Sequence, residues 1–316
     1  MTSARAAQAA PPTLSDYQAR PPHPQRRSGG RRLAGHMPPA GDLDRPLVTI
    51  VTPVRNGAAT LERALRSVLA QGYPAVETVV VDGASTDGTL DILRRYDEAL
   101  DCWISEPDSG ISDAFNKGIA LATGDIIGIL NADDWYEPDA VSKAVAAFAA
   151  TGADAVCGAL QYWIGNQQGL IFYSNPQNLR LESTVNHPTL FVRRAVYEQH
   201  GLFQTRYRYA MDYDLILRFY LRGVRFHVLP DVLANMQLGG RSDSAVFPVS
   251  RELYQIKTAL MGQPIRHALY SVYHFARTHV SKFLRRSGAD WLLDAYRRRH
   301  SVVRKARGHG QPPDSR

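Results

Sequence analysis

Asn131-Ala132-Asp133-Asp134-Trp135 follows the apolar run DIIGIL (125–130), so two adjacent carboxylates stand where a buried strand gives way to a loop. Neighbouring carboxylates repel one another unless a cation lies between them, and a hard divalent ion is the matching partner. Mg²⁺ or Mn²⁺ takes oxygen ligands, typically one or two carboxylates completed by substrate phosphates, so Asp133 and Asp134 suit the anchoring of a diphosphate better than a closed structural metal site. A second reading stands beside this one, with Asp134 capping a helix around Pro138–Ala149.

Other candidate groups fall at comparable places. Asp82 directly follows Val79-Val80-Val81, where a carboxylate can accept from the imide N–H of uracil or thymine or from a ribose hydroxyl; the plainer alternative is a turn-forming Asp before Gly83. Thr52-Pro53 ends the first apolar run, where backbone groups can meet a base edge. In Met211-Asp212-Tyr213-Asp214, Asp214 is four residues before Arg218 and suits an i,i+4 ion pair, which leaves Asp212 free to take a proton from an attacking sugar hydroxyl or simply to cap the helix. His187 opens a further strand. Leu238-Gly239-Gly240-Arg241-Ser242 is a turn in which Arg241 and Ser242 can meet phosphate oxygens. A lone His and a Gly-Gly pair also have ordinary structural uses.

The elements that must carry these groups alternate. LVTIVT (47–52) and VETVVVD (76–82) are continuous β-branched runs, CWIS (102–105) is a short strand, and DIIGIL is a fourth. Between them, apolar residues recur with helical spacing at Leu61, Ala64, Leu65 and Val68, over 89–96, and from Ile111 through Ala122. Strands alternating with helices predict an α/β fold with a mainly parallel sheet flanked by helices, which binds ligands at the carboxyl ends of its strands, here after residues 52, 82 and 130. Downstream, DAVCGALQYW and GLIFYS predict a hairpin-like pair, PTLFVRR (188–194) a strand, the segment after Met211 a helix, and VRFHVLP with VLANMQL two more strands.

Charge is unevenly spread over the 316 residues, whose formal net charge is +7. Residues 1–46 hold seven Arg and three Asp, net +4; residues 264–316 hold twelve Arg or Lys and three Asp, net +9; the centre, with 18 basic and 24 acidic residues, is net −6. An acidic centre excludes a nucleic-acid-binding fold there. Cys102 and Cys157 have no ligand-like spacing, which points away from zinc or a disulfide framework and toward a reducing compartment. No stretch approaches the about 20 apolar residues of a membrane span, and the first residues lack the apolar core of a secretory signal. Residues 1–45, rich in Pro, Gly and Arg, are expected to be disordered, and Met37 offers an alternative start that intact mass would test.

Taken together, these motifs resemble glycosyltransferase family 2, the inverting enzymes of GT-A (Rossmann-like) fold, and in particular the bacterial branch that builds exopolysaccharides, O-antigens and cell-envelope glycolipids. The resemblance covers about 47–245. It rests on VTPVRNGAATLERALRSVLAQGYPAVETVVVDGASTDGT, on SEPDSGI with DAFNKG, on NADDW, on MDYDLILR and on LANMQLGGRS. It implies a UDP-, dTDP- or GDP-sugar bound by Thr52, Pro53, Arg55, Asp82, Asp113, Lys117, Asn131, Ala132 and Asp133. It also implies Mg²⁺ or Mn²⁺ on Asp133 with support from Asp134, Asp212 as base, and acceptor or phosphate contacts from His187, Gly240, Arg241 and Ser242. Two positions depart from the commoner pattern: Asn131 replaces a first Asp, and Met211 replaces an acidic residue before the base.

This reading gives a GT-A domain at 46–263 followed by a C-terminal helical extension at 264–316. In the extension Ile265, Leu269, Val272, Ala276, Val280 and Phe283 recur among Arg266, Arg277, Lys282, Arg285 and Arg286. Such a basic amphipathic helix suits either an anionic membrane surface or packing on the domain. The expected place is cytoplasmic, peripheral at the inner face of the cell membrane, with a saccharide or lipid-linked acceptor and no nucleic acid. Rival readings are a nucleotidyltransferase, for which Pro53-Val54-Arg55-Asn56-Gly57 is a poor phosphate loop, and a non-catalytic membrane- or nucleic-acid-binding protein.

Overall fold

A computed structural model describes residues 10–38, 41, 45–237, 246–273 and 305–307. The first strands are β1 (Arg27–Gly29), β2 (Val48–Val54), β3 (Val76–Asp82), β4 (Cys102–Ser105), β5 (Ile126–Ile129) and β6 (Trp135–Tyr136). They are followed by β7 (Ala155–Ile164), β8 (Gln167–Tyr173), β9 (Phe191–Arg193), β10 (Phe226–Gln237) and β11 (Lys305–Arg307). The sheet order is β1-β4-β3-β2-β5-β9-β7-β10-β6, with β8 on β7 and β11 on β8. Strands β4, β3, β2 and β5 pair in parallel, as do β7 and β10, while β1, β6, β8 and β9 run antiparallel to their neighbours. The predicted mainly parallel sheet is therefore present, with β2, β3, β4 and β5 within two residues of their sequence limits.

Helices cover both faces. On one side α2 (Leu61–Leu69) and α5 (Ala140–Thr151) pack on Val48, Ile50 and Ile126, and α3 (Thr89–Arg95) joins α2 on Val80; on the other α4 (Ile111–Leu121) packs on Val51, Val79 and Ile127. Burial on both faces is why these strands are continuously apolar rather than alternating. Gly118 lets α4 approach β2 closely, since a Cβ there would lie 2.2 Å from Val51 Cγ1.

The chain runs β2, β3, β4 outward in one direction and returns with β5 on the opposite side of β2. That reversal opens a crevice at the carboxyl ends of β2 and β5, the place where sheets of this kind take ligands. The β2–β5 ladder ends at Val51 and Ile129, whereas β2–β3 continues to Val54 and Asp82. Pro53, without an N–H, thus occupies the stretch of β2 that β5 no longer pairs.

Three expectations need correction. Residues 10–38, expected to be disordered, are folded: α1 (Leu14–Gln18) buries Leu14 and Tyr17 against α4, and β1 adds an antiparallel edge to β4. Acidic residues of the domain explain this, because Arg26 pairs with Glu106, Arg31 with Asp101 and Arg32 with the buried Glu77. Secondly, the two strands expected over 224–238 are one, β10, whose register slips between Val228 and Ala234, which accommodates Pro230. Thirdly, PTLFVRR divides into a short 3₁₀ turn at His187–Thr189, the strand β9, and a helix, α6 (Arg194–His200).

Two helices follow the segment 238–245. α8 (Val246–Met261) packs through Leu253, Ile256 and Leu260 onto the core around α7 (Met211–Leu221), and another helix begins at 264 and is described to 273. Most of the expected basic extension lies outside the described residues; Lys305–Arg307, expected as helix, is the strand β11 beside β8.

Candidate active site

The open cleft at the carboxyl rim of the sheet has a volume of about 1020 Å³ and is lined by Arg55, Asp108–Ser112, Asn131, Asn186–Pro188, Tyr207–Tyr209 and Asp212, among others. Arg55, Asn131, His187 and Asp212, far apart in sequence, line it together; of the carboxylates Asp82, Asp133 and Asp212, expected to share one cleft, only Asp212 is among the lining residues. Each arrives from a different element: Arg55 follows β2, Asn131 follows β5, His187 precedes β9, and Asp212 lies in the first turn of α7.

Asp82 is not on the cleft surface. Its carboxylate is buried and accepts from Ser85 N at 3.1 Å, from Ser85 Oγ and from Ser105 Oγ at 2.6 Å. It ties the end of β3 to that of β4 and shapes the Gly83–Thr89 turn. A Cβ on Gly83 would lie 2.2 Å from Asp108 Oδ2, so Asp108 of the cleft wall is seated directly on that turn. Thr52 and Pro53 are buried within β2, and Thr52 Oγ1 has no hydrogen-bond partner.

The acidic pair divides. Asp133 is exposed, and its backbone O accepts from Arg63 Nη2 at 2.8 Å, while the Arg63 guanidinium lies 3.8 Å over the Trp135 ring. Asp134 is 0% exposed and accepts from Asn131 Nδ2 at 3.2 Å. Burial, then the nearby Asp133, push its carboxyl well above the usual range. Asp134 therefore points into the protein rather than toward a diphosphate, which corrects the expectation that it supports a metal; nor does its side chain cap a helix, for α5 begins at Ala140 after Asp139. Only Asp133 of the pair has the exposed oxygen chemistry of a Mg²⁺ or Mn²⁺ ligand, in a site that substrate phosphates would complete. Among the described residues no group of three or more His, Cys, Asp or Glu could enclose a metal by itself.

Asp113 and Lys117, expected at the donor, are turned to the other side of α4. Asp113 accepts from Tyr17 Oη at 2.7 Å and from Ser109 N at 3.2 Å, and Lys117 pairs with Glu106 at 2.8 Å and Asp113 at 3.4 Å. They brace the loop that carries Asp108 and Ser109 instead of entering the cleft. The turn after β2 is equally occupied: Asn56 N donates to Ser85 Oγ, Gly57 N to Thr89 Oγ1 and Ala58 N to Asp87 Oδ2. No open cradle of amides remains there for a phosphate, as a nucleotidyltransferase loop would require.

His187 packs against Phe115 and Phe203, with ring centroids 5.2 and 6.3 Å away, and burial brings its pKa down to about 4. It is a neutral imidazole at pH 7 whose Nε2 has no partner in the protein. Asp212 is half-buried at the cleft; its Oδ1 accepts from Tyr213 N at 2.8 Å, and burial raises its pKa, with Glu252 adding to the rise. Asp214 pairs with Arg218 at 3.0 Å, as its spacing predicted. Ala132 is buried below the cleft, and Gly240, Arg241 and Ser242 lie outside the described residues. Two features escaped sequence reasoning: the Arg63 contact with Asp133 O, and the role of Glu252 beside Asp212. Neither residue stands in a motif, and both act across long sequence separations.

The cleft thus lies at the strand switch point of a GT-A fold, with the half-buried Asp212 on its wall and the exposed Asp133 two residues beyond its lining residue Asn131. Residues 49–223 match the model of Glycosyl transferase family 2, and the chain belongs to that family. It is therefore a glycosyltransferase, which sets aside the nucleotidyltransferase and non-catalytic readings. A PGL/p-HBAD biosynthesis glycosyltransferase of Mycobacterium bovis (strain BCG / Pasteur 1173P2) is 34% identical over 180 residues, 55% of this chain and 69% of that protein. An uncharacterised glycosyltransferase of Rickettsia prowazekii (strain Madrid E) is 28% identical over 188 residues, 55% of this chain and 59% of that protein. Among solved structures, S. aureus TarS 1-349 in complex with UDP-GlcNAc superposes with TM-score 0.57 at 19% identity, covering 71% of this chain and 70% of that one. The mannosyltransferase PcManGT from Pyrobaculum calidifontis, in complex with GDP-Man and Mn²⁺, gives 0.55 at 22%, covering 89% and 86%.

Proposed function

We propose that this glycosyltransferase moves a sugar from a UDP-, dTDP- or GDP-sugar to a hydroxyl of a saccharide or lipid-linked acceptor, with inversion at the anomeric carbon. The observation that carries this is the cleft lined by both Asn131, just after β5 and two residues before Asp133, and Asp212 at the start of α7. Asp133 would hold Mg²⁺ or Mn²⁺, which when bound supplies charge neutralisation to the departing diphosphate. Asp212 accepts the proton of the acceptor hydroxyl as its oxygen bonds to the anomeric carbon and the bond to the diphosphate oxygen breaks, its electrons leaving with that oxygen. Attack comes from the face opposite the leaving group, so no covalent intermediate forms. His187, a cleft-lining residue whose buried Nε2 has no protein partner, is the candidate contact to acceptor or phosphate. Support for the donor class comes from the neighbours that bind UDP-GlcNAc and GDP-Man. Hydrolysis of a panel of these sugars with Mn²⁺ or Mg²⁺ tests the reading: metal-dependent release of a nucleoside diphosphate is expected, and no release from any of them would refute it.

The acceptor, in the same reading, is presented at an anionic membrane in cell-envelope polysaccharide or glycolipid synthesis. Ile265, Leu269 and Val272, 78%, 68% and 69% exposed, form an apolar stripe on the helix that begins at 264. The opposite side of that helix is held to the domain, with His267 buried and Tyr270 Oη donating to Glu182 Oε1 at 2.8 Å. Residues 183 and 185–188, just beyond Glu182, line the cleft, so a surface bound by the stripe would lie beside its mouth. No helix among the described residues is long and apolar enough to cross a membrane. Deleting 264–316 should release the protein from vesicles containing anionic lipid; unchanged binding would contradict this attachment.

A further inference from the structure

α7 carries Asp212 yet has no side-chain cap of its own, since Ala210 occupies the N-cap position. Exposed helix N-termini need acceptors for their first N–H groups, normally from a Ser, Thr, Asp or Asn at that place. Here Asp212 Oδ1 takes the Tyr213 N–H within the first turn, and the N–H of Ala210, with the two that precede it, finds its acceptor elsewhere in the chain. Glu252, in the middle of α8, takes Arg208 N on Oε1 and both Tyr209 N and Ala210 N on Oε2, each at 2.9 Å. Three successive N–H groups converging on one carboxylate form an anion-binding nest, and the positive end of the α7 dipole points the same way. The clamped residues are part of the cleft wall, for Arg208 and Tyr209 line it immediately before Met211 and Asp212.

We infer that Glu252 is a positioning residue for the glycosyl transfer: by clamping the 208–210 backbone that leads into α7 it fixes both the cleft wall at 208–209 and the start of the helix that carries Asp212. The inference rests on Asp212 being the base. Glu252 does not touch the reacting atoms; it acts through the backbone that holds the base. α8 directly follows residues 238–245, so the clamp also joins the base to the chain that continues from that segment.

Glu252 carries a charge as well as a geometry. It adds to the rise in the Asp212 pKa that burial begins. On the loop before α7 the other charged or titratable groups are Arg206, Tyr207, Arg208 and Tyr209. On α7, Asp214 is bound to Arg218 and Gln204; from α8, Lys257 Nζ donates to Leu181 O; His187 is the titratable group of the 3₁₀ turn that lines the same cleft. Removing the Glu252 charge lowers the Asp212 pKa, so the acid limb of the rate profile must move to lower pH.

The test compares Glu252→Gln, Glu252→Asp and Asp212→Asn in the full chain, with donor turnover, donor binding and thermal melting measured for each. For Glu252→Gln we expect kcat to fall about ten- to a hundredfold, donor KM to stay within about twofold, and the acid limb of kcat to shift downward. Glu252→Asp keeps the charge but lengthens the clamp, so its kcat falls while the limb stays in place; it also stands in should the Gln variant fail to fold. Wild-type kcat with an unmoved limb in Glu252→Gln overturns the inference, as does a kcat loss matched by equal loss of donor binding. An active Asp212→Asn enzyme would show instead that the base assignment itself is wrong.

Discussion

At the scale of single residues, the site turns on how burial sorts carboxylates of identical chemistry. Asp133 and Asp134 are adjacent, yet one is exposed and the other has 0% exposure with an unpaired Oδ1 beside Asn131. Asp133→Asn should therefore abolish metal-stimulated turnover, whereas Asp134→Asn should retain the metal concentration for half-maximal rate; titrating Mn²⁺ against rate for the two variants checks this. Asp212 differs again, being half-buried with a raised pKa. A base works only when deprotonated, so kcat should decline with falling pH from a point above that of an ordinary Asp. Asp212→Asn should lower kcat by about 10² to 10⁴ with donor binding preserved, measured by turnover and by calorimetry.

Among the elements, the N-terminal segment departs most from its sequence appearance. APPTLSDYQARPPHPQRRSGGRR has no helical or strand period, and composition alone reads it as disordered, because its order comes from acidic partners far along the chain, such as Glu106 for Arg26 and Asp101 for Arg31. The same blindness applies to Asp113 and Lys117: a motif places them at the donor, but only the packed segment shows that they brace the 106–110 loop from behind. By contrast, β2 to β5 and the helices between them were legible, since burial on both faces leaves a continuous apolar signature. The site was legible where residues terminate such strands, as at Asn131, and illegible where the contact is long-range, as at Arg63 and Glu252. Burial pushes the Glu106 carboxyl up, but Arg26 and Lys117 outweigh it and hold its pKa at about 2. That depressed value stabilises the fold above the unfolded pKa of about 4.3 and is lost as pH falls toward 2. Arg26→Ala should cost about 2 kcal/mol near neutrality and progressively less in acid, as followed by denaturant unfolding between pH 2 and 7.

For the whole molecule, charge is arranged along the chain: the centre is net acidic, and the described part of the basic N-terminal segment packs against it. Arg26 and Arg31 of the N-terminal segment pair internally, while Ile265, Leu269 and Val272 are exposed. Replacing those three residues by Ser should weaken binding to anionic vesicles at least tenfold without changing hydrolysis of the donor in solution, read by vesicle co-sedimentation. Raising salt should weaken wild-type binding too, since about 1 kcal/mol per basic side chain near the surface is screened within a Debye length.

Crystals soaked with Mn²⁺ and a nucleoside diphosphate sugar test the central arrangement most directly, through the anomalous signal of the metal. An anomalous peak against the Asp133 carboxylate, with the anomeric carbon of the sugar in the cleft facing Asp212, is the predicted result. A peak at Asp134, or a donor seated away from the crevice between β2 and β5, would contradict it.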